Sequence, residues 1–181
     1  GGNLGVVTSF TFKTHKTNDI TVFEASFSFD DFESVMTNWQ SLSKIWPNEM
    51  WGQIIPNWTN TSNPSVYIRA FCLNTREQAT PYWQDLLNNI QATPNSTNIS
   101  TNSYRDIMLG TCSNTIAACH LSTQFPEGRM PRSAFAASSD FYDHHIPPVG
   151  ISTLKNYIDE SINNGNLGMI IFDLMGGAID N

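Results

Sequence analysis

The sequence predicts an α+β domain in which an antiparallel sheet carries helices on one face. Stretches that alternate with the period-two pattern of strands are interleaved with stretches of helical period. Polar turns of hairpin type join some of them, as between Asn60 and Pro64. At 181 residues the chain is long enough for one domain that buries roughly 70% of its unfolded surface.

Ile20 to Phe29 alternates, with Phe23, Ala25, Phe27 and Phe29 on one face and Val22, Glu24, Ser26 and Ser28 on the other; it reads as a half-buried strand. Asp30 and Glu33 have the spacing of a capping box. Phe32, Val35, Met36, Trp39 and Leu42 then recur at helical spacing until Pro47, so a helix is expected from Asp31 to Ile45. Met50 to Ile55 and Ser65 to Leu73 read as two further strands. A second helical stripe follows in Ala79, Tyr82, Trp83, Leu86, Leu87 and Ile90, with Pro81 implying a late start or a kink. Ser96 to Thr101 fits another strand, and this order of strands and helices matches a ferredoxin-like half-domain.

Tyr104 to Arg132 reads as a long polar connection. Beyond it, Ser133 to Tyr142 reads as a strand and Ile151 to Ile162 as a helix with Leu154 and Ile158 inward and Gly165 at its end. Gly168 to Leu174 reads as a final strand. Phe27, Trp39, Leu86 and Leu154 are the expected core positions.

Charge and motifs narrow the function. A net charge of −7 disfavours nucleic acid and anionic membranes, both of which reward basic patches. His120, His144 and His145 lack the spacing of a zinc site and read as surface loop residues. Ser138 and Ser139 stand in no nucleophile elbow and read as strand residues. Asp159 and Glu160 read as a solvated helix face. Gly1, Gly2 and Gly5 permit a turn or a close backbone approach to a ligand, and Val6 to Phe12 continues as an extended run. Gln53, Tyr67, Arg69 and Asp173 are candidate pocket residues, because each is a polar side chain on an otherwise apolar strand; a solvent-facing strand residue is the alternative for each.

Three stretches carry a family resemblance. The opening GGNLGVVTSFTFKTH resembles the last segment of the flavin-binding domain of berberine bridge enzyme-like FAD-linked oxidases. RSAFAASSDFYDHHIPPVGISTLKNYIDE, from Arg132 to Glu160, is similar to a strand and helix of that family, and MIIFDLMGGAIDN, from Met169 to Asn181, to its strand and Gly-Gly turn. The chain departs from the family pattern at Ala136 and Ala137, in a usually basic stretch, and at Leu174 and Met175, in place of Pro-Tyr.

The resemblance implies that residues 1–15 are the edge of an FAD-binding domain and residues 16–181 a substrate-binding domain cut before its last strands. It implies backbone contact with FAD at Gly1, Gly2, Asn3, Gly5 and Val6, and hydride transfer from a small organic or carbohydrate substrate to the flavin, with oxygen as acceptor. The family's base would follow the Gly176-Gly177 turn, beyond Asn181, so the resemblance assigns no catalytic residue here and leaves this piece inactive without FAD of its own. The implied partners are the substrate and the rest of the parent protein. A different reading is a stand-alone ferredoxin-like binding module, in which Gly1 to Gly5 is only a turn.

Cys72, in an apolar strand, reads as a buried free thiol, while Cys112 and Cys119 flank a short loop that can fold back into a disulfide. Asn57, Asn60, Asn95 and Asn98 begin Asn-x-Ser/Thr triplets that chance accounts for in so polar a chain. Alkylating the unfolded, unreduced chain should label Cys72 alone; label on Cys112 and Cys119 would remove the bridge and the hint of export that goes with it.

Overall fold

The computed structural model describes residues 5–14, 16–110, 126 and 134–175. The elements run β1 (Asp19–Ser28), a 3-10 turn (Phe29–Asp31), α1 (Phe32–Leu42), a second 3-10 turn (Ser43–Ile45), β2 (Met50–Asn57) and β3 (Ser65–Cys72). They continue with α2 (Arg76–Asn89), β4 (Ser96–Ser103), α3 (Tyr104–Gly110), α4 (Pro148–Asn163) and the short β5 (Phe172–Asp173). The strands form one antiparallel sheet in the order β4-β1-β3-β2-β5. The first four strands with α1 and α2 make the expected ferredoxin-like half, and β5 extends it beside β2.

Alternation along the strands separates the two faces. Phe23, Ala25 and Phe27 of β1, Ile54 of β2 and Val66, Ile68 and Ala70 of β3 point to the side where α1, α2 and α4 pack. There they meet Phe32, Val35, Met36 and Trp39 of α1, Trp83 and Leu86 of α2, and Ile151 and Ile158 of α4. The rings of Phe23 and Trp83 lie 5.5 Å apart and tilted, joining the inner strand β1 to α2. Phe27, Trp39 and Leu86 are buried as expected, whereas Leu154 is only partly buried and Tyr82 is exposed. Tyr82 precedes the buried Trp83 and so points off the inner face of α2.

Helix starts differ from the expected ones. The 3-10 turn occupies the residues a box at Asp30 and Glu33 would need; instead the Asp30 N–H donates to Ser28 Oγ at 3.3 Å, and Asp31 makes no side-chain cap. The capping box is at α2, where Thr75 Oγ1 accepts from the Gln78 N–H and Gln78 Oε1 accepts from the Thr75 N–H. This cap starts α2 at Arg76, ahead of Pro81, so the helix has no late start. Gly165, at φ 73°, ends α4 and donates its N–H to the Ile162 carbonyl at 2.9 Å.

One expected strand does not form. Residues 134–142 form no strand and stand exposed, with Phe135 and Phe141 largely in solvent. Their Ala-Ala-Ser-Ser centre offers too little apolar area to hold a sheet edge. Ser138 and Ser139 are therefore exposed coil. The extended Val6 to Phe12 run is also exposed, and its Phe10 and Phe12 rings stack at 5.9 Å.

The final strand is shorter than expected, with ladder pairing at Phe172–Asp173 and a single bridge from Met169 to Asn57. Pro56 explains the gap: its carbonyl accepts from the Ile170 N–H at 3.0 Å, but its ring nitrogen has no hydrogen to return. The stretch expected as polar connection opens with α3, where Ser103 Oγ accepts from the Asp106 N–H at 3.1 Å. Cys112, Cys119 and His120 lie outside the described residues. Cys72 is a buried free thiol, its pKa raised by burial. Trp83→Ala should cost roughly 3–5 kcal/mol in a urea unfolding series; a loss below about 1 kcal/mol would show that this ring does not anchor α2.

Candidate functional site

The face of the sheet turned away from the core helices carries a polar row. Strand register fixes it: Asn98 lies opposite Glu24, Glu24 opposite Arg69, Arg69 opposite Gln53 and Gln53 opposite Asp173. One side chain from each strand therefore stands in line across the sheet, with Tyr67 one pleat along β3.

The side chains are joined by hydrogen bonds. Glu24 Oε1 accepts from the Tyr67 hydroxyl at 2.5 Å, from Arg69 Nε at 3.0 Å and from Arg69 Nη2 at 2.8 Å. Glu24 Oε2 accepts from Asn98 Nδ2 at 3.0 Å. At the other end, Gln53 Nε2 donates to Asp173 Oδ1 at 2.9 Å. The Arg69 guanidinium lies 5.4 Å from the Tyr67 ring centre and 5.8 Å from that of Phe71, and Phe71 packs on Trp51 at 5.2 Å. An aromatic patch thus borders the polar row.

Burial pushes the Glu24 carboxyl up, but the bonds from Tyr67, Asn98 and Arg69, with the guanidinium charge, outweigh it and hold the group below its usual value. Burial and the bond to Glu24 raise the Tyr67 phenol. Burial alone would lower Arg69, yet Tyr67 and Glu24 raise it. At neutral pH the cluster is a carboxylate, a guanidinium and a neutral phenol.

Gln53, Tyr67, Arg69 and Asp173, read separately from the sequence, are brought together here. Glu24 and Asn98 complete the group and were missed as site residues. The alternation had already put Glu24 on the outer face; pairing it with Arg69 needed the long-range register between β1 and β3. Gly5 and Val6 lie apart in an exposed segment, and Gly1, Gly2 and Asn3 fall outside the described residues. His144 and His145 are exposed, and His144 Nδ1 contacts Asp143 Oδ1. Asp159 accepts from Lys155 at 2.8 Å on the α4 surface.

Among the described residues no group of three or more His, Cys, Asp or Glu side chains could hold a metal, and no helix is long and apolar enough to cross a membrane. Two hollows, one bordered by Glu33, Asn38 and Pro148 and the other by Asp19, Asn74 and Arg76, contain none of the row residues.

No protein-family model matches the chain. In sequence it is similar to an uncharacterized FAD-linked oxidoreductase, YgaK, of Bacillus subtilis (strain 168), with 34% identity over 61 residues, 28% of this chain and 14% of that protein. In structure it is similar to a variant of BBE-like 1 from Physcomitrella patens, with a TM-score of 0.68 and 16% identity over 89% of this chain and 33% of that one. BBE-like #28 from Arabidopsis thaliana gives a TM-score of 0.63 and 14% identity, covering 88% of this chain and 31% of that one. Phl p 4, a grass pollen allergen with glucose dehydrogenase activity, gives 0.59 and 19%, covering 89% and 31%.

The class these comparisons define is the α+β fold of BBE-like proteins, of which this chain spans about a third. The fold is thus that of the BBE-like structures, and the sequence likeness is to an FAD-linked oxidoreductase.

Because the folded pKa of Glu24 lies below its ordinary 4.5, its contribution to stability is complete above the unfolded value and is lost as pH falls through the folded one. Glu24→Gln should flatten that acid limb in denaturation midpoints measured from neutral pH downward. An unchanged limb would mean that the carboxylate contributes no pH-dependent stability.

Proposed function

We propose that the chain is the substrate-binding part of an FAD-linked oxidoreductase whose remaining length supplies the flavin site. The polar row beside the Trp51–Phe71 patch carries this reading, since five strands converge hydrogen-bonding groups on the face left free by the core helices. Gln53, Tyr67, Arg69 and Asp173 would contact a small organic or carbohydrate substrate. When bound, the flavin would accept a hydride from that substrate and pass its electrons to oxygen.

Gly5 and Val6 would form part of one wall of a flavin site. Gly5, at φ 155°, has nothing within 4 Å of where a Cβ would stand, so its backbone is open to close approach, with Val6 exposed beside it. Neither of the two hollows borders Gly5. A division into residues 1–15 from the flavin domain and 16–181 from the substrate domain is supported by the exposed, unpaired 5–14 segment and by a sheet that starts at Asp19. The proposed partner is the flavin domain of the same protein, with neither nucleic acid nor membrane involved.

Two outcomes test the reading. The chain alone, mixed with FAD and desalted, should be colourless and without oxidase activity; a retained flavin band with peroxide release would make it a complete enzyme. In the full-length parent, Arg69→Ala should lower kcat/KM by roughly 10- to 100-fold, the size expected for a lost charged hydrogen bond, with the flavin spectrum unchanged. Wild-type kcat/KM in that variant would remove Arg69 from the site.

A further inference from the structure

We infer that Glu24 sets the charge preference of the sheet face: by taking up the guanidinium of Arg69 it suits the face to uncharged substrates and turns it against anionic ones. This rests on the proposed role of that face and adds a specificity residue to it. Arg69 is the one cationic residue in the five strands of the described structure. Two of its nitrogens bond the same Glu24 oxygen, and the rings of Tyr67 and Phe71 flank its plane. An arriving carboxylate or phosphate would meet the Glu24 carboxylate already paired with that guanidinium through Nε and Nη2.

The remaining charge in the row is also negative. Asp173 is exposed and receives one bond, from the neutral Gln53 amide, so the row carries two carboxylates against one guanidinium. Its neutral donors and acceptors can satisfy hydroxyl or carbonyl groups, and the Trp51–Phe71 patch offers an apolar wall beside them. From the described strands an anion gains no unpaired cation and meets like charge from Glu24 and Asp173. Glu24→Gln keeps the shape and a carbonyl acceptor but releases the guanidinium, which should turn the face into an anion site.

The Arg69 Nε–H signal of the chain, followed by NMR during titration with gluconate, tests this directly. Wild type should show no saturable shift. Glu24→Gln should bind on the order of tenfold tighter or more, and Glu24→Gln combined with Arg69→Gln should lose that gain in the remaining signals of β1 and β3. Saturable binding at Arg69 in wild type, or equal responses in wild type and Glu24→Gln, overturns the inference. The wild-type titration is decisive even if the variants fail to fold. A parent protein that holds no flavin would instead overturn the proposed oxidoreductase and leave the Arg69 titration standing as a separate result.

Discussion

The antiparallel pairing of β1 with β3, from Thr21 against Cys72 to Ser28 against Ser65, is the constraint on which both halves of the molecule depend. Its inner residues, Phe23, Ala25 and Phe27 against Ala70, Ile68 and Val66, floor the core. Its outer residues bring Glu24 against Arg69. A one-residue slip of β1 would exchange its faces, placing the Glu24 carboxylate among Trp83 and Leu86 and its phenylalanines in water. Burial of the core therefore selects the register, and the register assembles the cluster. The polar groups add little to that choice, since their mutual attraction largely offsets the cost of removing them from water.

Glu24 illustrates how such a cluster is tolerated. A partly buried carboxylate with an unmet oxygen would cost more than one left in water, but both oxygens here are engaged, one by Tyr67 and Arg69 and the other by Asn98. The donors come from β3 and β4 on either side of β1. Holding Arg69 between two rings removes much of its rotational freedom before any ligand arrives, so a partner binding there would spend less entropy on ordering it.

The elements legible in the sequence were those whose apolar pattern is long and regular. The alternation in β1 and the stripe Phe32, Val35, Met36 and Trp39 each state their period several times over, and each forms as read. Residues 134–142 lack that redundancy, and two phenylalanines with small residues between them imitate a strand without the area to hold one. Local capping was misread where two acidic residues fit the spacing but the backbone had already turned at Ser28. Four polar strand residues could be singled out one at a time because polarity on an apolar strand is a local signal. Their assembly, and the central place of Glu24, come from contacts 43 to 120 positions apart, which no local window contains.

Trp58 has a mechanical role beyond filling space. Its N–H donates to the Gly168 carbonyl at 2.9 Å, its indole Nε1 donates to Ser161 Oγ at 3.1 Å, and its ring lies so close to Gly168 that a Cβ there would overlap it at 2.6 Å. Strand β5, with only two ladder residues, is thus clipped to the end of β2 by an indole that also grips α4. Tension on the chain beyond Asp173 reaches this clip only after the short ladder has parted, so the edge can peel and reseat while the other four strands stay paired. Asp173 would travel with the peeling edge; Glu24, Arg69 and Tyr67 would remain where they are.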